Sequence, residues 1–494
     1  MPESAVPAAS AAAVPVAPSG ATDEPGRDAA RLQGRLGPVA IVFMVVAAAA
    51  PLTVIGGNMP LAMGLGNGAG APMGFVLAAA VLGVFSVGFV TMTPYVREAG
   101  AFFSYVTLGL GERAGRGAAA VALIAYTAIQ VGIYGYVGWA IDDTVGFYGG
   151  PDVPWPVYAF VVLAIVAVLG YRHIDLSAKV LGVALALEIG IVVLLDVVIV
   201  ADPGPAGLTA TSFAPGTFTD GSLGVAMLFA LTGFIGFEAT AVFRDEARDP
   251  QRTVPRATYA AVLIIGGFYA LTCWAFVVAL GPDQVARVAQ RTLDGGGNML
   301  LDTTDDKLGR VGRDAVNVLL ITSLFACVLS FHNVIARYQF VLARKGLMPR
   351  RLATVHGRHA SPSRSSLVQT ATAATIVLVL AVLGIDPLVG VFGSMAGVAT
   401  VGMVLLMLTT SVAVVAFFAR RRDAVAGRWW ACRVAPVVAC LALVLSMWLV
   451  LSKFTLVTGG STLLSVVLAA VPFCGLALGA FLPRRGAAPD RPAA

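Results

Sequence analysis

Of the 494 residues, 58% are hydrophobic and only 12% are charged, a balance that excludes a soluble domain and calls for an integral membrane protein. The net charge of +6 is not a nucleic-acid footprint, because almost all basic residues sit in short stretches between apolar runs, as membrane orientation requires. The five cysteines (Cys273, Cys327, Cys432, Cys440, Cys474) fall in apolar segments without metal-ligand spacing; they read as small buried hydrophobes and point to no metal or cofactor.

Residues 1–34, rich in Ala and Pro, read as a disordered cytoplasmic tail. Proline interrupts every apolar run there, and Glu3 stands where a signal peptide is basic. Residues 35–483 form the apolar, membrane-embedded body and 484–494 a second cytoplasmic tail. With about 20 apolar residues per crossing, twelve spans are expected near 37–66, 72–92, 117–141, 155–171, 176–201, 221–243, 256–281, 314–343, 365–384, 387–418, 431–451 and 461–482. The fold class is therefore an all-α integral membrane protein. An N-terminus on the inside puts about 26 of the 33 Lys and Arg on the cytoplasmic side, so both termini are expected in the cytoplasm and the bilayer is the cell membrane.

Span 1 contains PLTVIGGNMP, Pro51 to Pro60. Gly56 and Gly57 are expected to unwind it, with Asn58 capping a restarted half-helix and Pro60 in its first turn. The amides of Ile55, Gly56 and Gly57, with Thr53 beside them, would then hold a carboxylate without a cationic side chain. Span 3 carries a polar stripe, Tyr126, Gln130 and Tyr134, spaced by four residues and so on one face. Gln130 and Tyr134 are the pore-lining candidates. Asp142 and Asp143, at the outer end of that span, read as solvated.

Glu188 lies about a dozen residues into span 5 among apolar neighbours, and an ionisable group inside a span is a functional candidate. Asp196 lies nearer the outer end. Span 6 reads ALTGFIGFEATAV, Ala230 to Val242. Gly233 and Gly236 weaken the helix, and backbone freed inside a bilayer must line a cavity or be buried in protein. Carbonyls between Ala230 and Gly233 are expected to accept from an ammonium group. Phe229, Phe234 and Phe237 are expected to wall the site, Phe234 as a gate, with Thr232 a further substrate contact, and Glu238 adjoins it. The charged segment Arg244 to Arg256 reads as an inner-gate element. His332 and Asn333 in span 8 are further polar candidates, whereas His356 and His359 lack a third ligand and read as loop residues.

Spans 1 and 6 are both interrupted and lie five spans apart. An odd separation gives two units of opposite topology, a 5+5 inverted repeat of about 37–201 and about 221–418, with 431–482 added outside it.

GFIGFE followed by EARDPQRTVPRA, EAGAFFSYVTLGLG (Glu98 to Gly111) and ARYQFVLARKGLMP (Ala336 to Pro349) resemble the amino acid–polyamine–organocation permease family, in that family's order along the chain. The resemblance covers about Leu36 to Phe481 and implies substrate held between spans 1, 3, 6, 8 and 10. The stretch Thr53-Val54-Ile55-Gly56-Gly57 departs from the Gly-Ser-Gly-type break of many relatives, and no bulky gating aromatic stands near Thr232. In the resembling family a lysine often sits eleven residues after the serine of a Ser-Ala motif. Here the motif is Ser177-Ala178-Lys179 and the matching residue is Glu188. Desolvation disfavours a charged carboxyl, so Glu188 is expected to carry a coupling proton; Glu238 as proton carrier, or sodium at Glu188, are the rivals. The expected function is secondary transport of amino acids or related amines by alternating access, with polyamine transport or exchange as the alternative. A sensor would need a signalling domain, and a membrane enzyme a cluster of intramembrane acids and histidines.

Overall fold

The computed structural model describes residues 37–96, 101–172, 178–242, 249–356, 361–421, 425 and 427–482. Both tails, Glu98, Ser177, the core of the charged segment (Arg244 to Arg248) and His359 lie outside the described residues. All regular elements among the described residues are helical, as hydrocarbon demands of a backbone that must satisfy its own hydrogen bonds.

The principal helices are α1 (Pro38–Ala49), α2 (Ala71–Met92), α3 (Ala101–Leu110), α4 (Glu112–Phe147), α5 (Trp155–Tyr171), α6 (Ala178–Ala201), α7 (Leu223–Thr232), α8 (Ala239–Val242), α9 (Pro250–Leu280), α10 (Val285–Leu293), α11 (Met299–Arg344), α12 (Ser363–Val382), α13 (Ser394–Arg420), α14 (Ala435–Ser452) and α15 (Thr462–Phe481). Nine stretches among the described residues are long and apolar enough to cross a membrane; the first, Ile41–Tyr95, runs through expected spans 1 and 2, and the shorter α5 and α7 occupy expected spans 4 and 6. The central α4 packs against α11, α13 and α15.

The first span breaks earlier than its glycines suggest. Ala50 is left-handed (φ 46°, ψ 76°), and the chain restarts as a helix at Pro51. A residue before proline is pushed out of the helical region, and proline has no N–H to continue a helix but suits the first turn of a new one. The restarted run then stays helical through a wide π turn at Val54–Asn58 and into a second at Ala62–Asn67, where Gly66 (φ −96°, ψ −113°) leaves the helical conformation. Gly56 and Gly57 therefore do not unwind it. They let it approach α4: a Cβ on Gly57 would sit 2.7 Å from Tyr136 Cε1 and 2.9 Å from Phe392 Cε1. Such close approach is the other use of glycine in membrane helices.

The sixth span does break where its glycines stand. α7 stops at Thr232, the backbone turns through residues 233–238, and α8 resumes at Ala239. Gly236, at φ 111°, holds a conformation that a side chain disfavours.

The stretch 282–313, which lies between expected spans 7 and 8, is largely helical. The short amphipathic α10 rests on the restarted run, where a Cβ on Gly64 would sit 2.8 Å from Leu293 Cδ1. The first turns of α11 follow, bent at Gly309 (φ 69°). Arg313 joins Asp302 at 2.7 Å, and its guanidinium stands 3.6 Å from the Phe147 ring centre. Asp143 is not simply solvated either, since it accepts from Asn298 Nδ2 at 2.9 Å.

Candidate substrate and coupling site

A cavity of about 30 Å³ lies between the restarted run and the end of α7. Its polar wall is Thr53, Asn58 and Thr232; Ile129, Phe331 and Phe392 supply much of its apolar wall. A volume of that order holds a water or two and leaves no room for a substrate in this conformation. The Thr53 hydroxyl is buried and has no hydrogen-bond partner among the described residues. A buried polar atom without a partner is costly unless something else meets it. The other two polar groups are engaged. Asn58 caps no helix; its Nδ2 donates to the Phe229 carbonyl at 2.9 Å and ties the two interrupted spans together. The Thr232 hydroxyl lies 2.8 Å from the Leu228 carbonyl and 2.5 Å from Thr400 Oγ1.

Of the other expected substrate contacts, several lie beside this cavity rather than in its wall. Ile55 is fully buried in the restarted run. Gly56 faces the Tyr136 hydroxyl and Leu300, where a Cβ would meet Leu300 Cδ2 at 3.0 Å. Phe229 contributes its carbonyl rather than its ring. A Cβ on Gly233 would stand 3.0 Å from Val54 Cγ1, so this glycine lets the two interrupted spans meet. Phe234, expected as a gate, packs edge-on against Tyr269 with ring centres 6.4 Å apart. The aromatic rings that line the cavity are Phe331 and Phe392. The carbonyls expected to be free are occupied: Ala230, Leu231 and Thr232 accept from the amides of Gly233, Phe234 and Ile235 at 3.1, 3.1 and 3.0 Å.

Gln130 and Tyr134 turn away from the cavity, and Ile129 and Ile133, one position round the same helix, line it instead. Gln130 accepts from Gln369 Nε2 at 2.7 Å and lies 3.5 Å from His332 Nδ1; Gln339 Nε2 in turn donates to Gln369 at 3.1 Å, and His332 Nε2 meets Ser366 Oγ at 2.8 Å. Tyr134 lies one turn on from Gln130 along α4 and is fully buried as well. This network joins α4, α11 and α12 through the apolar interior. Replacing Gln130 by Leu strands the Gln369 amide, at a cost of about 1–3 kcal/mol for an unsatisfied buried group. The expected result is a lower thermal midpoint of the detergent-solubilised protein with an unchanged substrate KM. A raised KM at an unchanged midpoint would return Gln130 to the substrate site.

Two buried carboxyls flank the cavity. Glu188 accepts from Ser323 Oγ at 3.0 Å and stands near the Leu52 amide, just past the Ala50 break. Glu238 accepts from Tyr126 Oη at 2.7 Å and from the Gly236 amide at 2.9 Å, so it fastens the broken sixth span to α4. The Tyr126 ring adjoins Phe331, with centres 6.2 Å apart, which places this fastening beneath one wall of the cavity.

Residues 36–474 match a family model described as amino acid permease. An uncharacterized transporter of Mycobacterium tuberculosis is 31% identical over 48% of this chain and 51% of its own length. The serine/threonine exchanger SteT of Bacillus subtilis is 22% identical over 58% of this chain and 63% of its own. The human Asc-type amino acid transporter 1 is 26% identical over 32% of this chain and 29% of its own. The chain thus spans about half the length of the first of these relatives.

Proposed function

The chain belongs to the amino acid permease family, and on that premise we propose that it is a secondary transporter of small amino acids of serine or threonine size, working by alternating access and driven by protons. The observation that carries the proposal is the small cavity between two interrupted spans, with the Thr53 hydroxyl, unpartnered among the described residues, in its wall. Its volume leaves no room for a substrate until the walls part, which fits a site that opens to one side at a time. Its lining includes no carboxylate, whereas a polyamine needs acids to pair its cations. A relative named for serine and threonine exchange supports the choice of substrate size.

The paired interruptions, at Ala50 and at residues 233–238, support two units of opposite topology, about 37–201 and 221–418, with the last two spans outside them and twelve in all. The distribution of Lys and Arg supports a cell-membrane protein with both termini in the cytoplasm. The Tyr126–Glu238 hydrogen bond then lies on the cytoplasmic side of the cavity, where it can serve as a latch that opens when α8 moves. The test is uptake of radiolabelled L-serine, L-threonine and putrescine into proteoliposomes. Serine or threonine should accumulate on an inward proton gradient without sodium. Uptake of putrescine alone, or accumulation that requires sodium, would overturn the substrate or the ion assignment respectively.

A further inference from the structure

Asp196 lies two turns beyond Glu188 on α6, about 12 Å along the axis at about 1.5 Å per residue. It is only 5% exposed. One carboxyl oxygen meets the Thr272 hydroxyl at 2.7 Å, and the other has no partner among the described residues. A carboxylate in hydrocarbon calls for a cation or several donors, and Asp196 has a single donor; a neutral acid calls for neither. Thr272 stands three residues from Tyr269 on α9, so the two hydroxyls share a face. The Tyr269 hydroxyl donates to the Ala49 carbonyl at 3.3 Å, at the break beside which Glu188 stands. The polar groups along this seam are Tyr269 and Thr272 on α9, Ser323 and Cys327 on α11, and the backbone of the break. No Lys, Arg or His among the described residues pairs with either carboxyl. The nearest ion pair along α6 is Asp202 with Lys307, 3.0 Å apart, just past its end.

We propose that Asp196 is a second protonation site, through which protons reach Glu188 from the side of the membrane that carries residues 281–309. The inference rests on the proposed proton coupling. A proton from water on that side neutralises the Asp196 carboxylate. It then passes along the α9 hydroxyls and intervening water to the Glu188 carboxylate, leaving Asp196 ready for the next. No bond other than those to the proton is made or broken.

Two readouts separate this proposal from the reading beneath it. Infrared spectra of the full-length protein in proteoliposomes, recorded across pH, should show a protonated-carboxyl band that disappears in Asp196→Asn and remains in Glu188→Gln. Thr272→Val, which keeps the carboxyl, should shift that band to the position of an acid without a hydrogen bond. Proton entry driven by an L-serine gradient, followed with a trapped pH dye, should slow at least tenfold in Asp196→Asn and lose its dependence on external pH. Spectra of Asp196→Asn that retain every carboxylic band of the wild type overturn the proposal without any transport measurement. So does a wild-type dependence on external pH in that variant. Proton entry that is undiminished in Glu188→Gln would instead sink the coupling reading, and the infrared result on Asp196 would still stand.

Discussion

Replacing Glu188 by Gln is expected to abolish accumulation of L-serine on an inward proton gradient, while exchange of labelled for unlabelled L-serine continues. Glutamine keeps the size of the protonated acid and can still accept from Ser323, so that hydrogen bond can persist. What it cannot do is give up a proton. Coupling requires an ion that binds the two conformations unequally, and Glu188 is placed for that. It sits at the start of the restarted run, against Ser323 of α11, so any movement of α1 and the run relative to α11 changes its surroundings. Losing the coupling means losing the whole concentration ratio, while the exchange rate should stay within a few-fold. A variant that still concentrates L-serine on a proton gradient would make Glu188 structural and would transfer the role to Glu238. A wild type that accumulates only with sodium would make Glu188 a cation ligand.

Thr53→Val should raise the KM for L-serine by roughly tenfold to a hundredfold, the equivalent of a buried polar partner left unmet at about 1–3 kcal/mol. Valine has nearly the same shape, and the hydroxyl it removes bonds to nothing among the described residues. The fold should therefore tolerate the change, or even gain from it, and the thermal midpoint without substrate should not fall. A fall in kcat/KM carried mainly by KM marks an interaction present in the bound state. An unchanged KM with a changed midpoint would make Thr53 a packing residue.

Much of the architecture is legible in the sequence because lipid removes alternatives: an apolar run of the right length must be a helix. The sixth-span break is legible for a different reason. Gly233 and Gly236 stand close together just before Glu238, and Gly236 does take a positive φ, although Gly233 also admits Val54 of the first span. The first-span break is misplaced by the same logic, because Gly56 and Gly57 serve packing against Tyr136, and a proline, Pro51, sets the break. Sequence does not distinguish a glycine that frees backbone from one that admits a neighbour's ring. Polarity misleads in α4 too. Gln130 is the conspicuous residue, yet in a membrane a side chain with donors and acceptors is drawn to partners within the protein, here Gln369 and His332. The cavity wall is left to Ile129 and Ile133, which carry no signal of their own. Phe331 is equally silent, one phenylalanine among 25.

Cys327 offers the most direct measurement of whether substrate occupies the cavity between the interrupted spans. It lines that cavity, while the chain's four other cysteines do not and serve as internal controls. Alkylation by a small membrane-permeant thiol reagent, quantified by mass spectrometry on each cysteine peptide, reports access to the site as transport proceeds. The account predicts that L-serine or L-threonine slows labelling of Cys327 alone, with half-protection near the transport KM, and that Thr53→Val moves half-protection upward by the same factor as KM. Labelling of Cys327 that stays constant at saturating substrate, in protein that transports that substrate, would contradict it.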